Sequence, residues 1–296
     1  NKWKKLNHTS LLFNKRQSFI VICIYKSFAS DGFLDRIVNF PKDTLLIADE
    51  AHNIGSPGMK KILPDLQYEK RIALTATPKR RFDEEGNEII ESFFASVEPY
   101  TYSFSMKRAI TKGILCKYSY FPHLVYLNDR EMEKYAEISG KLARMFDRNT
   151  GEFFNKEASR MLLLERKRII HKANNKLATF RKIVSEIMSS RGNLDFSFIY
   201  APEGDENDIN IYDSDEARNL LLQYMEVIED DFAQVKVHHF TSETDNRTEV
   251  MKLFEQGHIN SLFSMKCLDE GVDIPRAELA IFCSSTGNPR QFIQRR

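Results

Sequence analysis

The feature of this sequence that most restricts its fold is a series of short runs rich in apolar and β-branched residues. Each run spans four to six residues and lacks the strict alternation of apolar and polar side chains that a half-buried strand shows. Nearly continuous apolar runs of this kind are typical of parallel strands that are buried on both faces of a sheet. The runs lie at 19–24, 44–47, 71–74, 195–200, 235–240, 261–264 and 279–282.

Segments with helical periodicity separate these runs. Apolar residues recur at helical spacing within 177–187 and 220–228, so each segment presents an apolar stripe. A third helix is predicted around 250–254, and Gly257 is placed to cap its carboxyl end. The alternation of strands with helices predicts an α/β fold whose sheets are parallel.

Composition and length exclude several classes of protein. The 296 residues include 43 Lys and Arg against 42 Asp and Glu, and 42% are hydrophobic, as expected for a globular chain of about two domains. The longest apolar run, 19–25, is far shorter than the ~20 residues that a membrane-spanning helix needs. The four cysteines are scattered, which excludes a disulfide framework or a cysteine metal site and predicts a reducing, cytoplasmic location.

Charge is unevenly distributed although the formal net charge is only +1. Residues 1–30 contain six Lys and Arg without an acid, and residues 156–182 contain nine against two acids. Residues 201–233, in contrast, contain eleven Asp and Glu and a single Arg. A basic stretch can bind a phosphate backbone, but a solvated helix face also explains any one of them, so charge alone does not decide between the two.

The strongest local signal follows the run at 44–47, where Asp49-Glu50-Ala51-His52 stands at the carboxyl end of a predicted strand. Ligands of open α/β sheets bind at that edge. One carboxylate there can hold Mg²⁺ through water while its neighbour polarises an attacking water, and phosphoryl transfer requires both roles. An ordinary Asp-Glu turn after a buried strand is the alternative.

Residues suited to chemistry follow three further predicted strands. Thr75 and Thr77 follow the run at 71–74, and the segments 267–275 and 287–296 follow the last two runs. Four segments of this kind, each at the end of a predicted strand and in this order along the chain, form a signature.

Together these segments resemble the motifs of the superfamily 2 helicases of the DEAD/DEAH-box type. The resemblance is closest to the branch that contains XPB-like repair helicases and the motor subunits of type I and type III restriction enzymes. Asp49 to His52 resemble motif II, Thr75 to Thr77 resemble motif III, 268–275 resemble motif V, and 291–296 resemble the start of motif VI. Residues 24–27 resemble a segment of the family that contacts nucleic acid. The resemblance covers nearly the whole chain and implies an α/β fold with two RecA-like parallel-sheet domains, the first incomplete, joined by a helical connector.

The resemblance implies a role for each residue that matches a motif. Asp49 would bind Mg²⁺, Glu50 would act as the catalytic base, and His52 would link the nucleotide site to the second domain. Thr75 and Thr77 would contact motif II, although a helix N-cap before Pro78 also explains them. The other implied residues are Gly271, Asp273, Arg290 and Gln294 for the nucleotide, Arg295 for catalysis, and Ser27, Thr241 and Arg247 for nucleic acid. Surface charge is the alternative for the two arginines of motif VI, and a solvated loop is the alternative for 238–247.

The family's glycine-rich phosphate loop is not found among the residues that precede Asp49. We expect this loop and the end of motif VI to lie outside the chain, so that residues 1–296 alone hydrolyse little ATP. On this basis, 1–105 is the C-terminal part of the first RecA-like domain and 191–296 is the second. Residues 106–190 form a mainly helical connector, with one strand candidate at 118–127.

The function implied by the resemblance is that of an ATP-dependent helicase or translocase, which couples hydrolysis at the cleft between its domains to movement on nucleic acid. ATP and Mg²⁺ are the expected cofactors. DNA is favoured over RNA because 83–90 and 109–115 resemble the repair and restriction branch. Two alternatives stay open: the motor subunit of a restriction system, and a non-catalytic nucleic-acid-binding scaffold without a phosphate loop. Protein partners in a repair or restriction complex are compatible with a helicase or translocase and with a restriction motor subunit. No membrane partner is expected.

Overall fold

Parallel sheets are present in the computed structural model, which describes residues 20–80, 83–147, 150–202, 214–241, 244–265 and 276–283. The chain divides into two units, Asn1–Lys117 and Tyr118–Arg296. The three-part division at 105 and 190 stays a prediction. Among the helices that the structure describes, none is both long and apolar enough to cross a bilayer.

Unit 1 contains a two-stranded parallel sheet and short helices. Its two strands pair with Leu45 opposite Lys70 and Asp49 opposite Leu74. In chain order the elements are α1 (Tyr25–Phe28), α2 (Asp31–Ile37), β1 (Leu45–Asp49), a 3₁₀ turn (Ala51–Gly55), α3 (Pro57–Lys60), a second 3₁₀ turn (Leu63–Asp65), β2 (Lys70–Leu74), α4 (Glu84–Phe94) and α5 (Met106–Thr111).

One face of the unit 1 sheet packs on a hydrophobic core, and the other face is exposed. Ala48 is buried in a core that includes Ile54 of the first 3₁₀ turn and Phe93 of α4. On the opposite face four large apolar side chains are 43% to 56% exposed: Leu45, Ile47, Ile72 and Leu74. The prediction that both faces are buried is therefore wrong for β1 and β2, because the described helices that contribute to the core pack on the Ala48 face.

Two predicted strands are missing from the part of the chain that the structure describes. Residues 20–24 form no strand before α1, and residue 19 lies outside the described range. Residues 118–127 also form no strand. Pro122 interrupts this second run, and a proline has no N–H to donate to a strand ladder.

Unit 2 contains a four-stranded parallel sheet in the order β6-β7-β5-β8. Ser197 of the central strand β5 is opposite both Ser261 and Leu279, so the three strands start at the same level. In chain order the elements are α6 (Asp129–Met145), β3 (Phe146–Asp147), β4 (Glu152–Phe153), α7 (Lys156–His171), α8 (Asn175–Arg191), β5 (Ser197–Tyr200), α9 (Ser214–Asp231), β6 (Val237–Phe240), α10 (Arg247–Glu255), β7 (Ser261–Ser264) and β8 (Leu279–Phe282).

Both faces of the unit 2 sheet are buried, as the sequence predicts. Ile199 points into a core with residues of α8 and α9, among them Phe180 and Tyr224, whose rings are 5.1 Å apart. Phe198 points to the other face, where its ring lies 4.8 Å from that of Phe254 on α10. Layers of helices on both sides of a parallel sheet confirm the predicted α/β class.

The predicted helices of this unit are confirmed. The segments 177–187 and 220–228 lie within α8 and α9, and 250–254 lies within α10. Gly257 follows the end of α10 with φ of +76°, a conformation that glycine adopts without strain.

A helical hairpin, α6-β3-β4-α7, precedes the sheet of unit 2. It begins with a capping box, in which Glu131 accepts a hydrogen bond from the main-chain N–H of Asn128 at 2.9 Å and Asn128 caps Glu131 in return. The second carboxylate oxygen of Glu131 accepts the N–H of Asn174, just before α8, also at 2.9 Å. One side chain therefore binds the backbone at both ends of the hairpin.

The amino ends of three strands are joined by one side chain, Asn260. Its Oδ1 accepts the N–H of Lys236 at 2.7 Å, and its Nδ2 donates to the carboxylate of Asp195. Its own carbonyl accepts the N–H of Ser197 at 3.1 Å. These bonds occupy backbone groups at the edge of the sheet opposite to the functional edge.

Candidate functional site

The two carboxylates of motif II lie at the carboxyl end of β1. Asp49 is the last residue of the strand, and Glu50 adopts a left-handed conformation with φ of +47°. The main-chain N–H of Glu50 donates to Oδ1 of Asp49 at 3.0 Å, which stabilises the sharp turn. A left-handed conformation at a residue other than glycine is unfavourable by roughly 1 kcal/mol or more, and such residues are concentrated at functional sites.

His52 connects motif II with the loop after β2. The imidazole is buried, and its Nδ1 lies 3.3 Å from Oε2 of Glu50 and 3.2 Å from Oγ1 of Thr75. Both contacts are made by the same ring nitrogen, so one atom of His52 lies close to both side chains. The structure therefore brings together three of the residues that the sequence selected, Glu50, His52 and Thr75.

Thr75 and Thr77 form a tight turn after β2. Oγ1 of Thr75 accepts the N–H of Thr77 and donates to the carbonyl of Thr77, both at 3.2 Å. The next helix, α4, begins at Glu84 with Asp83 as its N-cap. The alternative that these threonines cap a helix before Pro78 is therefore wrong, because no helix starts there.

Arg80 supports this arrangement, although it lies outside the motifs that the sequence shows. Its Nη1 donates to the carbonyl of His52 at 2.9 Å, and its Nε donates to Oδ2 of Asp83 at 2.6 Å. The guanidinium holds the pKa of Asp83 below its ordinary value through this hydrogen bond. Its main-chain N–H and carbonyl bind the side-chain amide of Asn87 at 2.6 and 2.9 Å. The sequence signal for these contacts is weak, since one partner is a backbone carbonyl and two of the bonds use the backbone of Arg80 itself.

The segment before α2 also reaches the tip of β1. The hydroxyl of Tyr25 donates to the carbonyl of Asp49 at 2.6 Å. Burial, and then the charges of Asp49 and Glu50, raise the pKa of Tyr25 to about 12. Ser27, the predicted nucleic-acid contact of this segment, is exposed on α1.

The residues at the tip of β1 fit a magnesium ion that keeps most of its water. Asp49 is exposed, and its carboxylate is held in place by the N–H of Glu50. No group of three or more His, Cys, Asp or Glu within the described ranges could enclose a metal ion. Mg²⁺ is commonly bound through one or two carboxylates together with water and substrate phosphates, so one exposed carboxylate suits it.

In unit 2, Thr241 and Arg247 flank the turn between β6 and α10. The main-chain N–H of Thr241 donates to Oγ1 of Thr244 at 2.8 Å. The guanidinium of Arg247 lies over the ring of Phe240, 4.6 Å from its centre. Both candidate contacts therefore lie at the carboxyl end of an edge strand, where an extended ligand can reach them.

Five predicted site residues lie outside the described residues. They are Gly271, Asp273, Arg290, Gln294 and Arg295. Their assignment stays a prediction.

Comparisons with known proteins agree with the motifs. Residues 1–80 match the family described as type III restriction enzyme, res subunit, and residues 206–296 match the helicase conserved C-terminal domain. The DNA 3'-5' translocase XPB2 of Sulfurisphaera tokodaii is 27% identical over 270 residues, which is 86% of this chain and 55% of that protein. The chain thus spans about half the length of this curated relative.

The solved structure of the Hef helicase domain of Pyrococcus furiosus is similar to this chain, with a TM-score of 0.45 and 14% identity. The similarity covers 91% of this chain and 71% of the chain in that structure. The two family matches, together with the translocase relative, cover the motifs at both ends of the chain. These matches support the resemblance to superfamily 2 helicases of the type that includes XPB translocases and restriction-enzyme subunits.

Proposed function

We propose that the protein containing this chain is an ATP-dependent helicase or translocase that acts on DNA. The observation that carries this proposal is the continuous contact from Glu50 through His52 to Thr75 at the tips of β1 and β2. Such a contact can transmit a change at the nucleotide to the neighbouring loop, because the imidazole cannot move without affecting both partners.

The chemistry assigned to unit 1 is activation of water for attack on the terminal phosphate of ATP. Glu50 is the general base, and its side chain is 34% exposed, so water can reach it. Nδ1 of His52 lies 3.3 Å from Oε2 of Glu50 and 3.2 Å from Oγ1 of Thr75, so this buried ring positions both side chains. Asp49 would hold Mg²⁺, which, when bound, neutralises charge on the phosphates.

The nucleic-acid part of the proposal rests on unit 2 and on the relative. Thr241 and Arg247 are the proposed contacts of unit 2 to a phosphate backbone, and Ser27 is the proposed contact of unit 1. The basic stretch at 156–182 adds positive charge along α7 and α8. DNA is proposed over RNA because the matched relative is named a DNA translocase.

The test is ATP hydrolysis by the complete protein that contains this sequence, measured with single-stranded DNA, duplex DNA and RNA. Glu50→Gln should lower kcat by about 10²–10⁴-fold, since general acid–base catalysis contributes that much. Glu88→Gln is the matched control, because this glutamate is exposed on α4. Equal hydrolysis by the two variants would contradict the role of Glu50, and stimulation by RNA alone would contradict the choice of DNA.

Residues 1–296 alone form a further arm of the same experiment. Little hydrolysis is expected from them, and DNA-stimulated turnover equal to that of the complete protein would show this expectation to be wrong.

The second candidate is the motor subunit of a restriction system, favoured by the match of residues 1–80 to a restriction-enzyme subunit. Cleavage of unmodified DNA by the complete protein would support it over a translocase that leaves DNA intact. A cytoplasmic location, predicted from the scattered cysteines, is a further proposal. Protein partners in a repair or restriction complex are also proposed.

A further inference from the structure

A cavity of about 500 Å³ lies beside the carboxyl end of β6. One wall is apolar and is formed by Leu221 and Leu222 of α9, Val250 of α10, and Met265 after β7. The polar lining includes Arg218, also on α9, together with His238 and Thr241. Ligand pockets in proteins have this character: concave and largely apolar, with a few polar groups that set orientation.

The polar side of the cavity is organised by two adjacent histidines. The rings of His238 and His239 stack with their centres 4.9 Å apart and their planes at 17°, and Nδ1 of His238 lies 2.6 Å from the carbonyl of His239. Burial, and then the neighbouring His238 and Arg218, lower the pKa of His239. A neutral imidazole offers both a donor and an acceptor to a ligand.

The charges around the cavity suit a ligand with one anionic group and a neutral body. Arg218 is positive and Asp245 is negative, and both line the opening. A phosphate alone would leave the leucine wall without a contact, and a purely apolar ligand would leave Arg218 without one. A nucleotide has both parts, since its base has two apolar faces and polar edges and its phosphate carries the charge.

We propose that this cavity receives one unstacked nucleotide of single-stranded nucleic acid, with its base against Leu222 and its phosphate near Arg218 and Thr241. The inference rests on the proposed function, because it needs a strand to pass the turn between β6 and α10. The cavity adds a contact to a base of the strand, whereas Thr241 and Arg247 are the proposed contacts to its phosphate backbone. Contacts to base faces tolerate any sequence, so the cavity should favour single strands over duplex without selecting a sequence.

Two charge variants on α9 distinguish binding in the cavity from long-range electrostatic repulsion of the phosphate backbone. Leu222→Glu places a carboxylate in the apolar wall, and Leu222 is 38% exposed, so the helix accommodates the change. Gln223→Glu adds the same charge one residue away, at an exposed position that does not line the cavity. The long-range effect on a phosphate backbone is nearly equal in the two variants.

Binding is measured by fluorescence anisotropy with a short single strand that contains 2-aminopurine, whose own fluorescence rises when the base leaves its stack. With the wild-type chain, one position of the strand should show a rise of several-fold, and a duplex of the same sequence should show none. Leu222→Glu should weaken binding at least tenfold, or ~1.4 kcal/mol, and abolish the rise. Gln223→Glu should keep the rise and bind within about threefold of the wild type.

Each contrary result has a separate meaning. If the chain binds the strand without a rise at any position, or if both variants behave alike, the cavity is not a nucleotide pocket. If a free nucleoside monophosphate binds the wild type as tightly as the strand and Leu222→Glu prevents this, the occupant is not a strand. If no nucleic acid binds at all, the proposed function fails together with this inference.

Discussion

Replacement of Gly55 by alanine should destabilise unit 1, because the position has no room for a side chain. A Cβ atom built there would lie 2.6 Å from the carbonyl oxygen of Gly86 and 2.7 Å from Cδ of Arg80. Real Cβ atoms essentially never come closer than 3.0 Å to such neighbours. The oxygen belongs to the backbone of α4, so the 3₁₀ turn and the helix must move apart.

The magnitude follows from this geometry. Overpacking by one carbon in a well-packed region typically lowers the free energy of unfolding by about 1–3 kcal/mol. For a domain of roughly 60–100 residues, each kcal/mol corresponds to about 4–8 °C in the midpoint of thermal unfolding. The shift of Cδ should also pull Arg80 away from the carbonyl of His52, so the turn that carries the histidine should loosen.

Gly58→Ala is the matched control. Gly58 lies three residues further on, in α3, and a Cβ atom there meets nothing within 4 Å. Alanine should raise stability by about 0.4–1 kcal/mol at this position, because it restricts the unfolded chain more than glycine does. The two substitutions are chemically identical, yet their effects should have opposite signs.

The assay is urea unfolding followed by far-ultraviolet circular dichroism, with hydrogen exchange of peptides from 45–94 to assign the change to unit 1. Gly55→Ala should speed exchange in the 3₁₀ turn and in the first turn of α4. If Gly55→Ala is as stable as the wild type, or if Gly58→Ala is destabilised by the same amount, the packing described between the turn and α4 is wrong.

Three further predictions concern single side chains. The lowered pKa of His239 favours its neutral form in the folded state, so the free energy of unfolding should be constant above the unfolded pKa of 6.5 and fall as the pH drops below that value. The urea midpoint of His239→Gln should fall less with decreasing pH than that of the wild type. Replacement of the exposed His258 should leave the pH dependence of the wild type unchanged. Arg80→Met removes charged hydrogen bonds and should lower the free energy of unfolding by about 1.5–3 kcal/mol in urea titrations, and a neutral result would mean that water replaces them. Asn260→Ala leaves a backbone N–H and a carboxylate at the amino edge of the sheet without their hydrogen-bond partner. It should lower the free energy of unfolding by about 1–3 kcal/mol in urea titrations, and a decrease below about 0.5 kcal/mol would contradict this role of Asn260.

The strands of unit 2 could be predicted closely because their limits are set by local chemistry. The runs at 261–264 and 279–282 coincide with β7 and β8. The run at 195–200 begins two residues early, because Phe196 has φ of +55°, and the ladder starts only after it. A left-handed phenylalanine leaves no pattern in the sequence.

Strand pairing itself could not be read from the sequence. The run at 20–24 is as apolar as that of β1, yet it forms no strand. Likewise, β1 and β2 have the composition of fully buried strands but bury one face among the described residues. Whether a run becomes a strand depends on distant residues that provide a partner and a covering layer.

The candidate site shows the same limit. Glu50, His52 and Thr75 could be selected because parallel strands bring their carboxyl ends to one edge. Arg80 could not be selected in this way, since it acts on the carbonyl of His52, and a contact to the backbone sets no requirement on the residue type of the partner. The sequence motifs therefore selected Glu50, His52 and Thr75, and the structure was needed to find Arg80, which holds the backbone of His52.

The double use of Glu131 has a consequence for how unit 2 can change. Its carboxylate binds the chain at Asn128, just before α6, and again at Asn174, 43 positions after Glu131 itself, so the polypeptide leaves and returns at one point. The hairpin between these two contacts is attached at a common base, so we expect its length not to affect the geometry of the sheet. Deletion of whole helical turns from this hairpin, or its exchange for another hairpin, should leave the strands that follow in their places.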